Sequence, residues 1–238
     1  MKQVIVTGGV GGIGGAVSEI FVKNGFFVTA FDLNDRAGKE FEERLGANFR
    51  YCRVDVTDIA AVACAAKGFS AVNHVVTLAG RALPNEWKGV AGMEPSEILA
   101  SLGLNLFGHL NVIRAFLPAL EKGEGERSVT LVSSINNAGG FGLPAYSAAK
   151  AGLIGFVNAS AAELGQKGIR INAVSPGTVP TEMTKREPKD FSALLLTTAL
   201  GKFVSASDVA KLVYALSEEF VSVTGQEFVI DAGQTKKH

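Results

Sequence analysis

The sequence predicts a doubly wound α/β fold: a seven-stranded parallel sheet with helices on both faces. Three observations predict it. Short apolar segments alternate with helix-like segments along the 238 residues. The apolar segments read Val-Ile-Val or Val-Thr-Leu-Val, without the polar alternation of a half-solvated strand, as expected where helices cover both sheet faces. The first of them runs directly into a glycine-rich turn that opens a helix. Right-handed crossovers then follow for each strand–helix–strand unit.

In order, Val4–Thr7 is the first strand, and a helix from about Gly12 to Asn24 follows the turn. Phe27–Phe31 is the second strand, Asp35–Leu45 a charged helix, and Phe49–Val54 the third strand. Ile59–Ala66 reads as a short helix and His74–Leu78 as the fourth strand. One long helix is expected over Ser96–Leu120, then a fifth strand at Ser128–Ser133 and a long helix at Ala145–Gly165. Arg170–Ser175, a helix at Ser207–Ser217 and a last strand at Glu227–Ile230 complete the pattern. Nothing reads as a linker, repeat or low-complexity segment, so one domain over 1–238 is expected, with a small substrate-loop segment at about 178–205.

Charge is balanced, 23 basic residues against 23 acidic, with no charged block. That argues against nucleic acid and points to a small molecule or another copy of the chain as partner. Cys52 and Cys64 lack C-x-x-C spacing and read as small core residues. His74, His109 and His238 lack metal-ligand spacing, so no metal site is expected. The first residues lead into a strand rather than a signal-peptide layout, and no unbroken apolar run reaches the ~18 residues of a membrane span. A soluble cytoplasmic protein is the expectation.

The turn reads Thr7-Gly8-Gly9-Val10-Gly11-Gly12-Ile13-Gly14. Glycines let bare backbone approach a pyrophosphate, and the following helix aims its free N–H groups and positive dipole end at it. Asp32 ends the second strand, where a carboxylate can accept from both adenosine ribose hydroxyls and repel a 2′-phosphate. Leu33 and Asn34 follow with no base beside Asp32, which favours NAD over NADP, although Arg36 could swing toward a phosphate. A helix cap is the bland reading of Asp32, and a strand-end cap that of Asp55.

Tyr146-Ser147-Ala148-Ala149-Lys150 places a phenol and an ammonium side by side on a helix. A free tyrosine, with a pKa near ~10, is a poor base at neutral pH, and a neighbouring cation favours its phenolate. Ser133 and Ser134 end the fifth strand, at the sheet edge where ligands bind in such folds.

With these residues in place, the chain resembles the short-chain dehydrogenase/reductase family over essentially its whole length. Thr7–Gly14 matches that family's TGxxxGxG turn, Asp55-Val56 its adenine-contacting Asp, and Ala79-Gly80 the end of its NNAG motif. Asn105, Ser134, Tyr146 and Lys150 match its catalytic tetrad. Pro176-Gly177 with Thr181 matches PGxxxT, and Thr224-Gly225 with Asp231 its C-terminal strand. The resemblance implies a Rossmann fold and cofactor contacts from Gly8, Gly12, Ile13, Gly14, Asp32, Leu33, Asp55, Val56, Ala79, Gly80, Pro176, Gly177, Val179 and Thr181, besides Tyr146 and Lys150. It also implies that Tyr146 exchanges the alcohol proton, Ser134 steadies the substrate oxygen, Lys150 lowers the tyrosine pKa and holds the nicotinamide ribose, and Asn105 anchors a relay water.

The chain departs from the pattern in two places. NNAG reads Thr77-Leu78-Ala79-Gly80, for which a local packing change is expected. Ser134 lies 12 residues before Tyr146 and Ser133 lies 13 before it. A spacing of 13 is common in the family and favours Ser133; the second serine of a Ser-Ser-apolar sequence is usually the catalytic one, and Ser134 is the expected catalytic serine, with one residue lost from the Asn136–Leu143 loop.

An NAD-dependent oxidoreductase acting on a secondary alcohol/ketone pair is therefore expected. The rivals are an NADPH-dependent reductase of acyl-carrier ketoesters and a non-enzymatic dinucleotide sensor. Phe141, Leu143 and Met183–Leu200 are expected to line a mostly apolar substrate pocket, with Lys185 and Arg186 at its rim. The apolar helices around Leu102–Phe116 and Ala151–Leu164 suggest a two-fold helix contact. The family resemblance adds a second interface through the last strand, giving a homotetramer.

Overall fold

The computed structural model describes residues 1–138, 142–181 and 191–236. Among them, strands β1 (Gln3–Thr7), β2 (Phe27–Asp32), β3 (Phe49–Arg53), β4 (His74–Thr77), β5 (Ser128–Val132), β6 (Arg170–Pro176) and β7 (Glu227–Ile230) form one sheet. Their order is β3-β2-β1-β4-β5-β6-β7 and every neighbouring pair is parallel. The order reverses between β1 and β4, and a crevice opens there beyond the carboxyl ends of the strands.

The strand side chains divide between two cores, which is why their sequences are continuously apolar. Val4 and Val6 of β1 face one side with Val28, Ala30, Val76 and Val174, under α1 (Gly12–Lys23) and α8 (Ala206–Glu218). Ile5 faces the other side with Val75, Val129, Leu131 and Ile171, under α3 (Ile59–Ala66), α5 (Gly108–Glu121) and α6 (Pro144–Gln166). Phe21 and Leu216 are fully buried on the first side, and Phe116 and Leu153 on the second. Helix α2 (Asp35–Leu45) lies against the β2–β3 edge, where Gly38 rests on the Tyr51 ring. A short helix, α7 (Phe191–Leu196), precedes α8.

The expected single helix at Ser96–Leu120 is instead composite. Helix α4 (Pro95–Leu102) passes through a π-helical turn, Gly103–Phe107, into α5. An apolar periodicity near 3.6 does not register one widened turn, and such turns often mark functional positions. The whole stretch Pro95–Glu121 is 27 residues long and, by length and composition, apolar enough to cross a bilayer. It exceeds the unbroken apolar runs of the sequence because Asn105, His109 and Asn111 fold into it. Val112, Ile113, Phe116 and Leu120 are buried in the fold, whereas Leu99 and Phe107 are exposed.

Candidate active site

A cavity of about 830 Å³ occupies the crevice at the strand-order reversal, a size suited to a small-molecule or cofactor site. Gly8, Gly12, Ile13, Gly14, Asp32, Leu33, Asp55, Val56, Ala79 and Gly80 line it. So do Ser134, Tyr146, Lys150, Pro176, Gly177, Val179 and Thr181. Residues scattered from 8 to 181 thus meet around one cavity. Among the expected site residues Asn105 is the exception: it is wholly buried and lies outside the cavity lining.

At one end, the Gly8 N–H donates to the Phe31 carbonyl at 2.7 Å and the Gly11 N–H to the Gly8 carbonyl at 3.1 Å, folding the turn tightly against β2. Gly8 adopts a φ of 65°, and a Cβ at Gly14 would collide with its carbonyl oxygen, so α1 can start only on bare backbone. Gly11 caps α1 without a side-chain hydrogen bond, and the first turn holds no acidic residue. A helix start with no cap of its own, opening on a cavity, is a donor set that fits the two phosphates of a dinucleotide.

Asp32 ends β2 and accepts from the Leu33 and Asn34 N–H groups at 2.7 and 3.1 Å, with the Val10 N–H at 3.4 Å. Helix α2 is capped by Asn34, which accepts from the Ala37 N–H, so Asp32 is not the helix cap. Asp55 accepts from both the N–H and the hydroxyl of Thr57, at 2.9 and 2.7 Å, closing the turn that presents it to the cavity. Chain neighbours alone do not show the base near Asp32. Arg53 pairs with Asp32 in the β2–β3 register. Its guanidinium donates to the Leu33 carbonyl and the Asp35 carboxylate, both at 2.7 Å. Arg36 is turned to solvent beside Glu40.

At the other end, α6 carries Tyr146 and Lys150, with the Lys150 Nζ 5.6 Å from the centre of the tyrosine ring. Lys150 is buried, its ammonium donates to the Val132 carbonyl at 2.9 Å, and burial pushes its pKa down to about 7. The two serines differ. Ser133 is buried and its hydroxyl donates to the Lys150 carbonyl at 3.0 Å. Ser134 is half-buried; its hydroxyl donates to Asn136 Oδ1 and accepts from the Asn136 N–H, both at 3.2 Å.

Asn105 sits in the π-helical turn, outside the cavity lining. Its Oδ1 accepts from the Arg81 N–H at 2.8 Å and its Nδ2 donates to the Arg81 and Ser101 carbonyls at 3.0 and 3.1 Å. A Cβ at Gly80 would stand 2.6 Å from that Oδ1 and 3.6 Å from Lys150 Nζ. Gly80 is therefore the window through which Asn105 and Lys150 approach one another.

Comparison with known proteins decides the family. The family model described as enoyl-(acyl carrier protein) reductase matches residues 9–235. The chain is 30% identical over 238 residues to 3-oxoacyl-[acyl-carrier-protein] reductase FabG of Salmonella typhimurium, covering 98% of this chain and 96% of that protein. It is 35% identical over 239 residues to 3-alpha-(or 20-beta)-hydroxysteroid dehydrogenase of Mycobacterium bovis, covering 98% and 88%. A crystal structure of a short-chain dehydrogenase/reductase family oxidoreductase from Burkholderia thailandensis superposes with a TM-score of 0.90 at 32% identity, covering 98% of this chain and 92% of that one. The chain belongs to the short-chain dehydrogenase/reductase family.

For a short-chain dehydrogenase/reductase, the altered NNAG motif has a local explanation. Thr77, in place of the first Asn, is hydrogen-bonded through its hydroxyl to Nδ1 of the buried His109 at 2.8 Å. Burial, with the Lys150 charge second, holds His109 well below the usual imidazole range, so the ring is neutral. The motif's end is held by Thr7, whose hydroxyl accepts from the Leu78 and Ala79 N–H groups at 3.0 and 3.1 Å.

Sequence reasoning missed several lining residues, among them Arg81, Leu104, Asn136, Thr178 and Gln234. Arg81 directly follows the Ala79-Gly80 motif and could have been found by that adjacency. Gln234 could not: it reaches back 56 residues to accept from the Thr178 N–H at 3.1 Å. Leu143, Ala193, Leu194 and Thr197 of the expected substrate pocket also line the cavity, whereas Phe141, Met183, Lys185 and Arg186 lie outside the described residues.

Proposed function

We propose that this oxidoreductase is an NAD-preferring cytoplasmic dehydrogenase that interconverts a secondary alcohol and a ketone. One observation carries the reading: Tyr146, Lys150 and Ser134 share a cavity with an uncapped helix start and with Asp32. The Gly8–Gly14 turn would hold the pyrophosphate, Asp32 the adenosine ribose, and Pro176–Thr181 the nicotinamide end. When bound, the nicotinamide supplies or accepts the hydride.

The chain's own residues handle the proton and the charge. In the oxidative direction, the Tyr146 phenolate takes the hydroxyl proton of the alcohol, and in the reductive direction the phenol returns it. The Ser134 hydroxyl, released from Asn136, donates to the substrate oxygen as charge builds there. Lys150, with a pKa near 7, gives up and takes a proton readily at neutral pH, which suits a carrier between the tyrosine and water. Asn105 holds the Arg81 backbone and stands next to Lys150 across Gly80, where a relay water would be fixed.

Asp32 separates this reading from an NADPH-dependent reductase of acyl-carrier ketoesters, since its carboxylate repels a 2′-phosphate. Arg53, the base nearest in register, is engaged by Asp35. The substrate end of the cavity, with Ala82, Leu143, Ala193 and Leu194, favours an apolar or cyclic alcohol. We also propose a homotetramer. Leu99 and Phe107 are exposed on the α4–α5 stretch, and the outer face of α6 offers Ala151, Gly155 and Ala159. Edge strand β7 exposes Val229.

The test is a panel of alcohols and ketones assayed by nicotinamide absorbance with NAD(H) and NADP(H), run beside Tyr146→Phe. Turnover is expected with at least one secondary alcohol. It should fall by ~10²–10⁴-fold in Tyr146→Phe with NADH binding intact. Near-normal turnover in that variant overturns the mechanism.

A further inference from the structure

Helix α6 starts poorly by its own means. Leu143, at its N-cap, adopts a φ of 58°, uncommon for a residue with a side chain, and offers no capping hydrogen bond. Pro144 has no N–H, so Ala145 and Tyr146 carry the first orphan donors of the helix that presents the phenol. The Tyr146 N–H is met from 60 residues away: it donates to Glu86 Oε2 at 2.7 Å.

Glu86 is 1% exposed, unusual for a carboxylate with no cation paired to it among the described residues. Its other oxygen accepts from the Leu83 N–H at 3.1 Å and from the Ser101 hydroxyl at 2.7 Å. Ser101 also approaches Asn105: its hydroxyl lies 3.3 Å from Nδ2 and its carbonyl accepts from the same amide at 3.1 Å. A continuous hydrogen-bonded path thus runs from the Tyr146 backbone through Glu86 and Ser101 to Asn105. Burying a carboxylate is expensive unless such bonds meet it. Here they join the two elements whose relative placement sets the distance between phenol and relay.

Resting on the function proposed above, we propose that Glu86 is the positioning residue of the reaction: it caps α6 in trans and locks Tyr146 in register with Asn105. It touches neither substrate nor cofactor and acts through the Tyr146 backbone. Packing alone predicts that any side chain of similar volume would serve. The proposed role demands a hydrogen-bond acceptor.

The experiment compares E86Q, whose one remaining oxygen meets the Tyr146 N–H while its NH2 turns to the Ser101 hydroxyl and leaves the Leu83 N–H without an acceptor, with E86L, which keeps the volume and accepts nothing. Both are assayed for kcat, KM and NADH dissociation constant on the most active substrate of the panel, beside wild type and Tyr146→Phe. In E86L, kcat is expected to fall by roughly 10–100-fold, the scale of an ångström of misplacement. The NADH dissociation constant should stay at the wild-type value, and E86Q, with one acceptor oxygen in place of two, should recover part of the kcat lost in E86L. Equal kcat in E86Q and E86L overturns the proposal. Should E86L fail to accumulate folded, Ser101→Ala carries the test, since it removes only the hydroxyl joining Glu86 to Asn105. A lowered kcat with unchanged NADH binding supports the proposal, and wild-type kcat overturns it. An active Tyr146→Phe would instead sink the underlying mechanism, which keeps the two failures apart.

Discussion

The Lys150 ammonium donates to the carbonyl of Val132, the last residue of β5, at 2.9 Å, and this bond anchors it beside the cavity it lines. Burial depresses its pKa from an ordinary 10.5 to about 7. Between those values the unfolded chain binds a proton that the folded chain does not, so stability rises with pH across that window. Below it, the fold carries the full cost of a buried ammonium. Lys150→Met is therefore expected to abolish turnover yet to be more stable than wild type near neutral pH. That advantage should shrink as pH rises toward 10.5. Urea melts at several pH values measure it; a stability difference that does not vary with pH would contradict the assignment.

The serine pair gives a second expectation. Ser133 is committed to the Lys150 carbonyl, while Ser134 is half-open and lines the cavity beside Asn136. Ser134→Ala should lose most of kcat. Ser133→Ala should cost about 0.5–1.5 kcal/mol of stability, the worth of one hydrogen bond, with smaller kinetic effects. Steady-state kinetics and thermal melts on the two variants check this. Loss of activity confined to Ser133→Ala would reverse the roles and restore the family's common spacing of 13.

A third concerns the adenosine end. With Asp32 present and Arg53 held by Asp35, NADH should bind more tightly than NADPH. Asp32→Ala should narrow the gap by weakening NADH and relieving the repulsion of the 2′-phosphate. Fluorescence titration with both nucleotides reads it directly. Tighter NADPH binding by the unmodified protein would favour the ketoester-reductase reading instead.

Assembly is the fourth. Phe107 is 54% exposed and Leu99 68% exposed on the same helical stretch, a costly surface to leave in water. Light scattering at micromolar concentration should return about four times the 24.9 kDa chain mass. A Phe107→Glu variant should shift the distribution to smaller species. A wild-type mass near that of one chain would eliminate the oligomer, and one near twice it would leave only a single interface.

Most of the fold was determined by the sequence itself. Strand and helix periodicities, the glycine turn before α1 and the Tyr146–Lys150 pair are local patterns. Backbone sterics and nearest-neighbour geometry enforce them wherever they occur, and the bounds of α2, α3 and β7 agree with their residue-by-residue reading. The tertiary structure alone decided the rest. The π-helical turn at Asn105 leaves the apolar pattern of the helix almost unchanged. The state of Lys150 depends on how much water its surroundings exclude. The inward commitment of Ser133 is set by α6 bringing Lys150 to the end of β5. Two of the partners of Glu86, Ser101 and Tyr146, stand 15 and 60 residues away along the chain. A side chain's partners become fixed only when the sheet brings distant segments together, because hydrogen bonding and desolvation act through space and not along the chain.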